Sequence, residues 1–252
     1  MGIASNNYIR DCTIVKAYGN IGIQVINLNA CMRGEVQRKY TQKGTVNSSK
    51  LENNLSRAKR KVKEMALCNE WDFWCTFTIS PEKYDRYDLE GFYKDFSSFI
   101  HSYNKRAAEA FKVRYVFIPE MHKDGAWHIH GFIRGIRPND LYINEHDYLT
   151  WGEYEKRFGF ISMSPIEDLE RTALYSLKYM TKDSARNVSE LGAHLYYCSK
   201  GLKRAETLFK GYARITCQWD YEGEYCRLKW FRAGEKGIQE FIDTVELMKR
   251  ER

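Results

Sequence analysis

The sequence predicts an α+β fold, because strand-like runs bounded by turn residues alternate with segments whose apolar residues recur at helical spacing. Residues 12–28 are expected to form two short strands around a turn at Gly19–Asn20. A basic helix is expected from about Ser49 to Cys68, with Ser48 or Ser49 as its cap. The N-terminal part of the chain thus combines both kinds of element.

The middle of the chain carries the clearest patterns. A strand-rich run, WDFWCTFTIS, stops at Pro81. From Asp88 to about Ala110 the pattern predicts an amphipathic helix with a buried, aromatic-rich stripe formed by Leu89, Phe92, Phe96, Phe99, Ile100 and Tyr103. Two further strand-like runs, KVRYVFIPE and AWHIHGFIRG, are separated by the turn-forming segment Lys123-Asp124-Gly125.

The rest of the chain continues the mixture. After a polar insert we expect a short helix near 151–158, the strand FGFISMS and a helix from about Glu167 to Lys182, followed by the strand-like HLYYCS and EYCRLKWF. Internal repeats, low-complexity linkers and a Gly-rich phosphate loop are absent from the sequence, which favours one domain with terminal additions. Its expected parts are N-terminal strands and basic helix (1–69), core (70–200), and C-terminal strands with a charged tail (201–252).

The composition is that of a globular protein, and its charge favours an anionic partner. The 252 residues are 43% hydrophobic, and no apolar run approaches the roughly 18 residues of a membrane span, so we expect no membrane association and a cytoplasmic location. Seven scattered cysteines without a C-x-x-C pair favour reduced thiols. The net charge of +7 and 15% aromatic content favour a polyanion such as single-stranded nucleic acid.

The segment WHIHGF contains two histidines one residue apart. On a strand, His128 and His130 lie on the same face, where two imidazoles can share a metal ion. If the preceding strand pairs Glu120 with His130 and His122 with His128, all four side chains share that face, and Asp124-Gly125-Ala126 forms a three-residue loop. The alternative is an ordinary pair of strand histidines that binds no metal.

Two histidines and one carboxylate leave coordination positions open, as catalysis requires. Glu120 is the preferred third ligand, since a carboxylate supplies the charge that Mg²⁺ or Mn²⁺ needs. His122 is the competing third ligand, with a supporting or DNA-facing role as its alternative.

A second group of residues lies in ALYSLKYMTKD, residues 173–183. At helical spacing, Leu169, Ala173, Leu177 and Met180 form a packing face, and the far side carries Tyr175, Lys178, Tyr179 and Lys182. A phenol is a slow nucleophile at neutral pH, but a metal-polarised phosphate and a nearby ammonium group offset that deficit. The alternative is a solvated helix face.

The segment RAKRKVK is a candidate phosphate-binding surface. It contains five cations and no acid: Arg57, Lys59, Arg60, Lys61 and Lys63. Such a surface adds affinity that falls with salt and gives no base selectivity. A solvated helix face explains the pattern equally well.

Three motifs in this order, FTIS with Thr78, HIH, and the Y-x-x-K-Y of YSLKY, resemble the rolling-circle replication initiators of the HUH endonuclease superfamily, above all those of small bacteriophages and related prophages or plasmids. The resemblance covers about residues 70–200. It implies an RRM-like, five-stranded antiparallel sheet with packed helices, a central HIH strand and the tyrosine helix beside it. It also implies nicking and joining of single-stranded DNA at an origin through a 5′-phosphotyrosine, with a free 3′-OH that primes synthesis.

The same resemblance assigns roles by position. It gives the divalent ion to His128, His130 and Glu120, and makes Tyr175 the first nucleophile. Tyr179 matches the second tyrosine of two-tyrosine members and would be structural in single-tyrosine members. Lys178 matches the family lysine that orients the metal and phosphate. No Walker-type helicase motif occurs, so the implied partners are origin DNA and a host helicase and polymerase in a bacterial cytoplasm.

Two alternatives stay open. A transposase or mobilisation relaxase would use related chemistry, but relaxases usually carry the nucleophile near the N-terminus together with a third histidine. A non-catalytic DNA-binding regulator that kept the fold would bind origin DNA in the presence of EDTA and would not cleave it.

Overall fold

The computed structural model describes residues 8–32, 48–190, 193–213, 215, 217–235 and 237–250. Its strands and α-helices in chain order are β1 (Tyr8–Ala17), β2 (Gly22–Met32), α1 (Ser48–Cys68), β3 (Phe73–Thr78), α2 (Leu89–Arg106), β4 (Arg114–Met121), β5 (Trp127–Arg134), β6 (Leu141–Ile143), β7 (Leu149–Trp151), α3 (Gly152–Arg157), β8 (Ile161–Pro165), α4 (Leu169–Ser176), α5 (Lys182–Glu190), β9 (Tyr197–Cys198), β10 (Glu206–Tyr212), β11 (Tyr221–Glu222), β12 (Cys226–Arg232) and α6 (Ile238–Arg250). Short 3₁₀ helices span Glu109–Phe111, Pro138–Asp140 and Leu177–Tyr179.

The predicted α+β class is confirmed, and the described strands form two antiparallel sheets. The chain divides into a central unit, Val46–Lys203, and a terminal unit formed by the segments on either side of it. In the terminal unit the N-terminal strands pair with the C-terminal strands, and the basic helix belongs to the central unit. Strand partners so far apart in sequence leave no local signal.

The terminal unit contains a five-stranded sheet in the order β10-β1-β2-β12-β11. The predicted hairpin is confirmed, with Gly19 at a positive φ of 54° in its turn. Helix α6 packs its Val245 into a core with Val15, Val25 and other apolar residues of the sheet. Cys12 in β1 is disulfide-bonded, so the expectation of reduced thiols throughout is wrong. The cysteines that form no disulfide are Cys68, Cys75, Cys198, Cys217 and Cys226.

The central unit contains a seven-stranded sheet in the order β6-β7-β8-β3-β5-β4-β9. The expectation of about five strands is therefore too low, since β6 and β7 form within the insert whose polar residues gave no strand signal, and β9 adds a short edge. Strand β5, which carries the two histidines, is an interior strand between β3 and β4. An interior strand is hydrogen-bonded on both sides, so its side chains are held at fixed positions.

Helix α2 covers one face of this sheet. All six predicted stripe residues are buried, and Asp88 caps the helix by accepting a hydrogen bond from the Gly91 amide at 2.9 Å. Phe96 is fully buried and contacts Phe77 of β3 and Phe117 of β4. Because side chains alternate along strands, the polar residues between these core residues point to the opposite face.

Helix α1 lies with α4 and α5 and also contacts β4. Its predicted extent is confirmed, but the predicted capping side chains, those of Ser48 or Ser49, lie outside the described part of the structure. Its buried side is formed by Leu55, Ala58, Val62, Met65 and Ala66. No helix within the described ranges has the length and apolar character needed to cross a bilayer.

Candidate active site

The β4–β5 hairpin sets the position of the histidine pair. Glu120 lies opposite His128, so the predicted pairing of Glu120 with His130 is wrong by two residues. The His122 amide donates to the Ala126 carbonyl at 2.8 Å, which closes a three-residue loop, Lys123-Asp124-Gly125, instead of the loop predicted one residue later. Gly125 has φ +85°, the left-handed conformation that such a loop needs at this point. A shift of two residues preserves the face, so Glu120 still lies on the histidine side.

His130 is the buried centre of the site, with only 6% of its surface exposed. Its Nε2 lies 2.7 Å from Oε2 of Glu120, and its Nδ1 lies 3.1 Å from Oγ1 of Thr76, the residue opposite it on β3. A carboxylate only accepts, so in a neutral ring Nε2–H donates to Glu120 and Nδ1 accepts from the Thr76 hydroxyl. Both ring nitrogens are therefore satisfied.

The remaining residues of WHIHGF explain the rest of the motif. Trp127 and Ile129 point to the other face, into the aromatic core. Gly131 lies where the backbone of β4 approaches closely, and a Cβ there would come within 2.0 Å of the Val116 carbonyl oxygen. The segment thus places two imidazoles on one face, apolar anchors on the other, and a glycine where a side chain would not fit.

Burial keeps the two imidazoles neutral near pH 7. Desolvation lowers the pKa of His128 to about 4, with His122 and His130 as further causes, and the rings of His122 and His128 are stacked at 3.8 Å. Burial also lowers the pKa of His130, against the opposing effect of Glu120. Only a neutral imidazole has a free lone pair, which is the form that binds metals.

The donor set suits a divalent cation, although a complete cage is not preformed. Within the described ranges, no three His, Cys, Asp or Glu side chains are grouped so as to hold a metal ion. Two donors bound to one Mg²⁺-sized ion at right angles lie about 3 Å apart, close to the 2.7 Å between His130 and Glu120. Nε2 of His130 and Oε2 of Glu120 are therefore spaced as two ligands of one such ion would be.

The predicted tyrosine helix is interrupted. Instead of one helix over about Glu167–Lys182, α4 ends at Ser176, a 3₁₀ turn follows, and α5 begins at Lys182. Thr181 explains the new start, since its Oγ1 accepts a hydrogen bond from the Ser184 amide at 3.0 Å, which is typical of a helix N-cap. Of the predicted packing face, Ala173 and Met180 are fully buried.

The interrupted segment nevertheless brings both tyrosines to the histidines. The Tyr179 ring stacks on the His130 ring with centroids 3.8 Å apart, and its hydroxyl is hydrogen-bonded to the Tyr175 hydroxyl at 3.1 Å. Nζ of Lys178 lies 3.6 Å from the centre of the Tyr175 ring. The two groups that the sequence singled out separately therefore form one continuous cluster.

The two phenols differ in environment. Tyr175 is 46% exposed, and hydrogen bonds from Lys178 and then Tyr179 lower its pKa. Burial, followed by the hydrogen bond with Tyr175, raises the pKa of Tyr179 to about 12. Bonding to Tyr175 in turn raises the pKa of Lys178, which therefore stays charged. Tyr175 is the more accessible and the more readily ionised of the pair.

Trp74 contacts both tyrosines of the cluster, although no sequence motif pointed to it. Its ring contacts Tyr175 edge-on at 6.0 Å and is stacked with Tyr179 at 6.1 Å, and it packs on Phe132 behind them. The alternation of β3, which puts Trp74 and Thr76 on one face, was the available signal. Without the register between β3 and β5, nothing linked these residues to the histidines.

Helix α1 presents part of its basic run to solvent. Arg57, Arg60 and Lys61 are exposed, whereas Lys59 and Lys63 are half-buried. Burial lowers the pKa of Lys63, with Glu170 of α4 opposing that effect. Three of the five cations predicted to bind DNA are therefore exposed to solvent, where a ligand could reach them.

The fold and the site together define an α+β protein with a histidine, carboxylate and tyrosine cluster on one face of an antiparallel sheet. Residues 72–184 match the family model described as replication-associated protein ORF2/G2P. The matched stretch is less than half of the chain and contains the whole cluster, from Trp74 to Tyr179. No curated protein and no solved structure matches the chain. The stretch that carries the cluster is therefore similar to replication-associated proteins.

The depressed pKa of His128 predicts a pH-dependent stability. The unfolded chain takes up a proton near pH 6.5 and the folded chain only near pH 4, so stability should be full above pH 6.5 and fall as the pH drops toward 4. NMR titration of the ring in chelator-treated protein should give a midpoint near 4, and His128→Gln should weaken the acid destabilisation. A midpoint near 6.5 would contradict the burial assigned to this ring.

Proposed function

We propose that this protein initiates DNA replication by nicking and joining single-stranded DNA at a rolling-circle origin, with Tyr175 as the first nucleophile. The observation that carries the proposal is the unbroken chain of contacts from Glu120 through His130 and Tyr179 to Tyr175. The match to replication-associated proteins supports the biological process. The resemblance to two-tyrosine initiators supports the chemistry.

In the proposed cleavage step, the Tyr175 oxygen attacks the scissile phosphorus. A bond forms between that oxygen and phosphorus, and the bond from phosphorus to the 3′ oxygen breaks. The phenolic proton passes to solvent, and the leaving 3′ oxygen takes up a proton from solvent. The products are a 5′-phosphotyrosine and a 3′-OH end. The ammonium group of Lys178 would stabilise the developing phenolate, since its Nζ lies 3.6 Å from the centre of the Tyr175 ring.

In the joining step, a 3′-OH attacks the phosphotyrosine, the bond between phosphorus and the tyrosine oxygen breaks, and a phosphodiester forms again. Tyr179 is positioned to serve as the second nucleophile once Tyr175 is occupied, because the two hydroxyls are only 3.1 Å apart. Its buried ring and raised pKa make it the weaker nucleophile of the pair before Tyr175 reacts.

Glu120, His128 and His130 would hold the divalent ion, Mg²⁺ or Mn²⁺, which supplies positive charge to the phosphate oxygens. For His130 to offer its Nε2 lone pair, the ring hydrogen has to lie on Nδ1. The hydroxyl of Thr76 allows this, since it can accept from Nδ1–H as well as donate to the bare nitrogen. His122, stacked on His128, is the reserve ligand or a support for that ring.

The exposed cations of α1 would hold the DNA strand on the same side of the sheet as the tyrosines, because α1 packs against α4 and the 3₁₀ turn that carries Tyr179. They would contact phosphates and leave base selection to other residues. Since the sequence has no Walker-type motif, strand separation would rest on a host helicase, and a host polymerase would extend the 3′-OH.

Tyrosine replacement tests the nucleophile. With a labelled single-stranded origin oligonucleotide and Mn²⁺, Tyr175→Phe should reduce the covalent adduct roughly a thousandfold or more, because the attacking oxygen is gone. Tyr179→Phe should keep the first cleavage and lose the second transfer. Denaturing electrophoresis and mass spectrometry detect the adduct.

Tyr148→Phe is the matched control, because it removes a hydroxyl from another half-exposed tyrosine of the central unit. It should form adduct at the wild-type rate. Adduct that survives in the double variant Tyr175→Phe/Tyr179→Phe would rule out the proposed nucleophiles.

Metal removal tests the ligand set. EDTA should abolish adduct formation and leave oligonucleotide binding largely intact, and Mn²⁺ or Mg²⁺ should restore cleavage. His128→Ala and His130→Ala should each prevent that restoration, whereas His146→Ala, at an exposed ring, should not. Binding without cleavage at every metal concentration would instead favour the non-catalytic regulator.

Salt dependence tests the basic helix. Each phosphate contact on single-stranded DNA contributes about 0.7 to the slope of log K against log salt, so Arg57→Gln/Arg60→Gln/Lys61→Gln should lower that slope by about 2. Fluorescence anisotropy over a salt series gives the slope. A control with the same loss of charge changes three exposed lysines elsewhere: Lys83, Lys94 and Lys156. Equal slopes for the two variants would mean that the cations of α1 form a solvated helix face and do not contact DNA.

A further inference from the structure

A polar cavity lies on the α2 side of the central sheet, away from the tyrosines. It has a volume of about 670 Å³ and is lined by the second half of α2, the chain leading into β4, and β9 with the residues after it. Tyr115, which lines the cavity, points to the core face of β4, whereas Glu120 points to the face of the histidines. The cavity is therefore separate from the candidate active site.

The lining of this cavity is cationic. Lys112, Arg114, Lys200 and His101 all contribute to its wall, and the wall contains no aspartate or glutamate. Glu109, which lies outside the wall, pairs with Lys112 and also acts electrostatically on Arg114, so the three cations of the wall meet one external carboxylate. Four serines also line the cavity and add hydroxyl groups to these donors.

The walls are fixed by hydrogen bonds before any ligand arrives. Asn104 of α2 bonds to both the amide and the carbonyl of Val113, at 2.7 and 3.1 Å. Across the cavity, the Tyr115 amide donates to Oγ of Ser199 at 3.0 Å, and Nη1 of Arg114 donates to the Lys200 carbonyl at 2.9 Å. Preorganised walls reduce the entropy that binding would cost.

A smaller cavity in the same unit provides a contrast. It measures about 450 Å³ and carries two lysines, Lys83 and Lys156, but Glu153 and Glu155 lie in the same wall and balance their charge. A cavity whose wall contains cations but no carboxylates is thus not a general property of this surface.

We propose that the larger cavity is a second phosphate-binding site, which takes a phosphate group of a free nucleotide or of a nucleic-acid strand. A guanidinium fork, an ammonium group and hydroxyls are the donors that phosphate recognition uses. The volume lies within the range of about 300–1,000 Å³ found for small-molecule sites. The site is independent of the tyrosine chemistry, because it lies on the other face of the sheet.

Cys198 provides a local probe, since it is not in a disulfide, is half-buried and forms part of the cavity wall. The rate at which N-ethylmaleimide alkylates Cys198 is measured by peptide mass spectrometry with inorganic phosphate, dATP or a single-stranded oligonucleotide, all in EDTA. A ligand at ten times its Kd should slow the reaction about tenfold. Cys217 and Cys226, in the terminal unit, serve as internal references.

Protection by dATP or phosphate would identify a nucleotide site, and protection by the oligonucleotide alone would identify a strand-binding site. Lys112→Gln/Lys200→Gln should weaken binding about tenfold, through the loss of two charged donors. Lys83→Gln/Lys156→Gln removes the same charge at the other cavity and should change nothing. Absence of protection by all three probes, or protection that is undiminished in Lys112→Gln/Lys200→Gln, would overturn the proposal.

Discussion

The hydrogen bond between His130 and Glu120 is the interaction on which the candidate site depends. It joins an interior strand to its neighbour across the diagonal of the hairpin, and it forms only because a three-residue loop keeps both side chains on one face. A two-residue loop would shift the register by one residue and turn Glu120 into the aromatic core. Gly125 at positive φ and Gly131 at the close contact between strands make this register possible. The geometry of the site therefore depends on two glycines that have no chemical role in it.

The two faces of the central sheet have different tasks. On one face, aromatic side chains of the sheet pack against α2, and Phe96 and its neighbours are buried there. The other face holds His130 between a threonine, a carboxylate and a tyrosine ring, and Trp74 supports both tyrosines. Rigid packing behind a polar cluster is the usual way to hold side chains within a fraction of an ångström of a working geometry. The cationic cavity on the α2 side extends this division, since it offers a second ligand a place that does not compete with the first.

Electrostatics separates two tyrosines that the sequence presents as equivalent. Tyr175 is exposed and lies beside the ammonium group of Lys178, which lowers the pKa of Tyr175 and favours its phenolate. Tyr179 is covered, stacked on His130, and raised in pKa by that burial. The same burial keeps both imidazoles neutral, as metal binding requires. Burial therefore keeps the histidines neutral and raises the pKa of Tyr179, whereas Lys178 lowers the pKa of Tyr175.

The sequence by itself determined the features that follow from local periodicity. The stripe from Leu89 to Tyr103 on α2 and the shared face of His128 and His130 are consequences of 3.6-residue and 2-residue repeats, and the structure has both. Only the tertiary structure decided which residues meet across the chain. Strands from the two ends of the chain pair with each other, as β2 and β12 do, and the Tyr179 ring stacks on His130 of a strand almost fifty residues earlier. Local residue types leave such contacts open, because their energies come from neighbours that only the folded chain supplies.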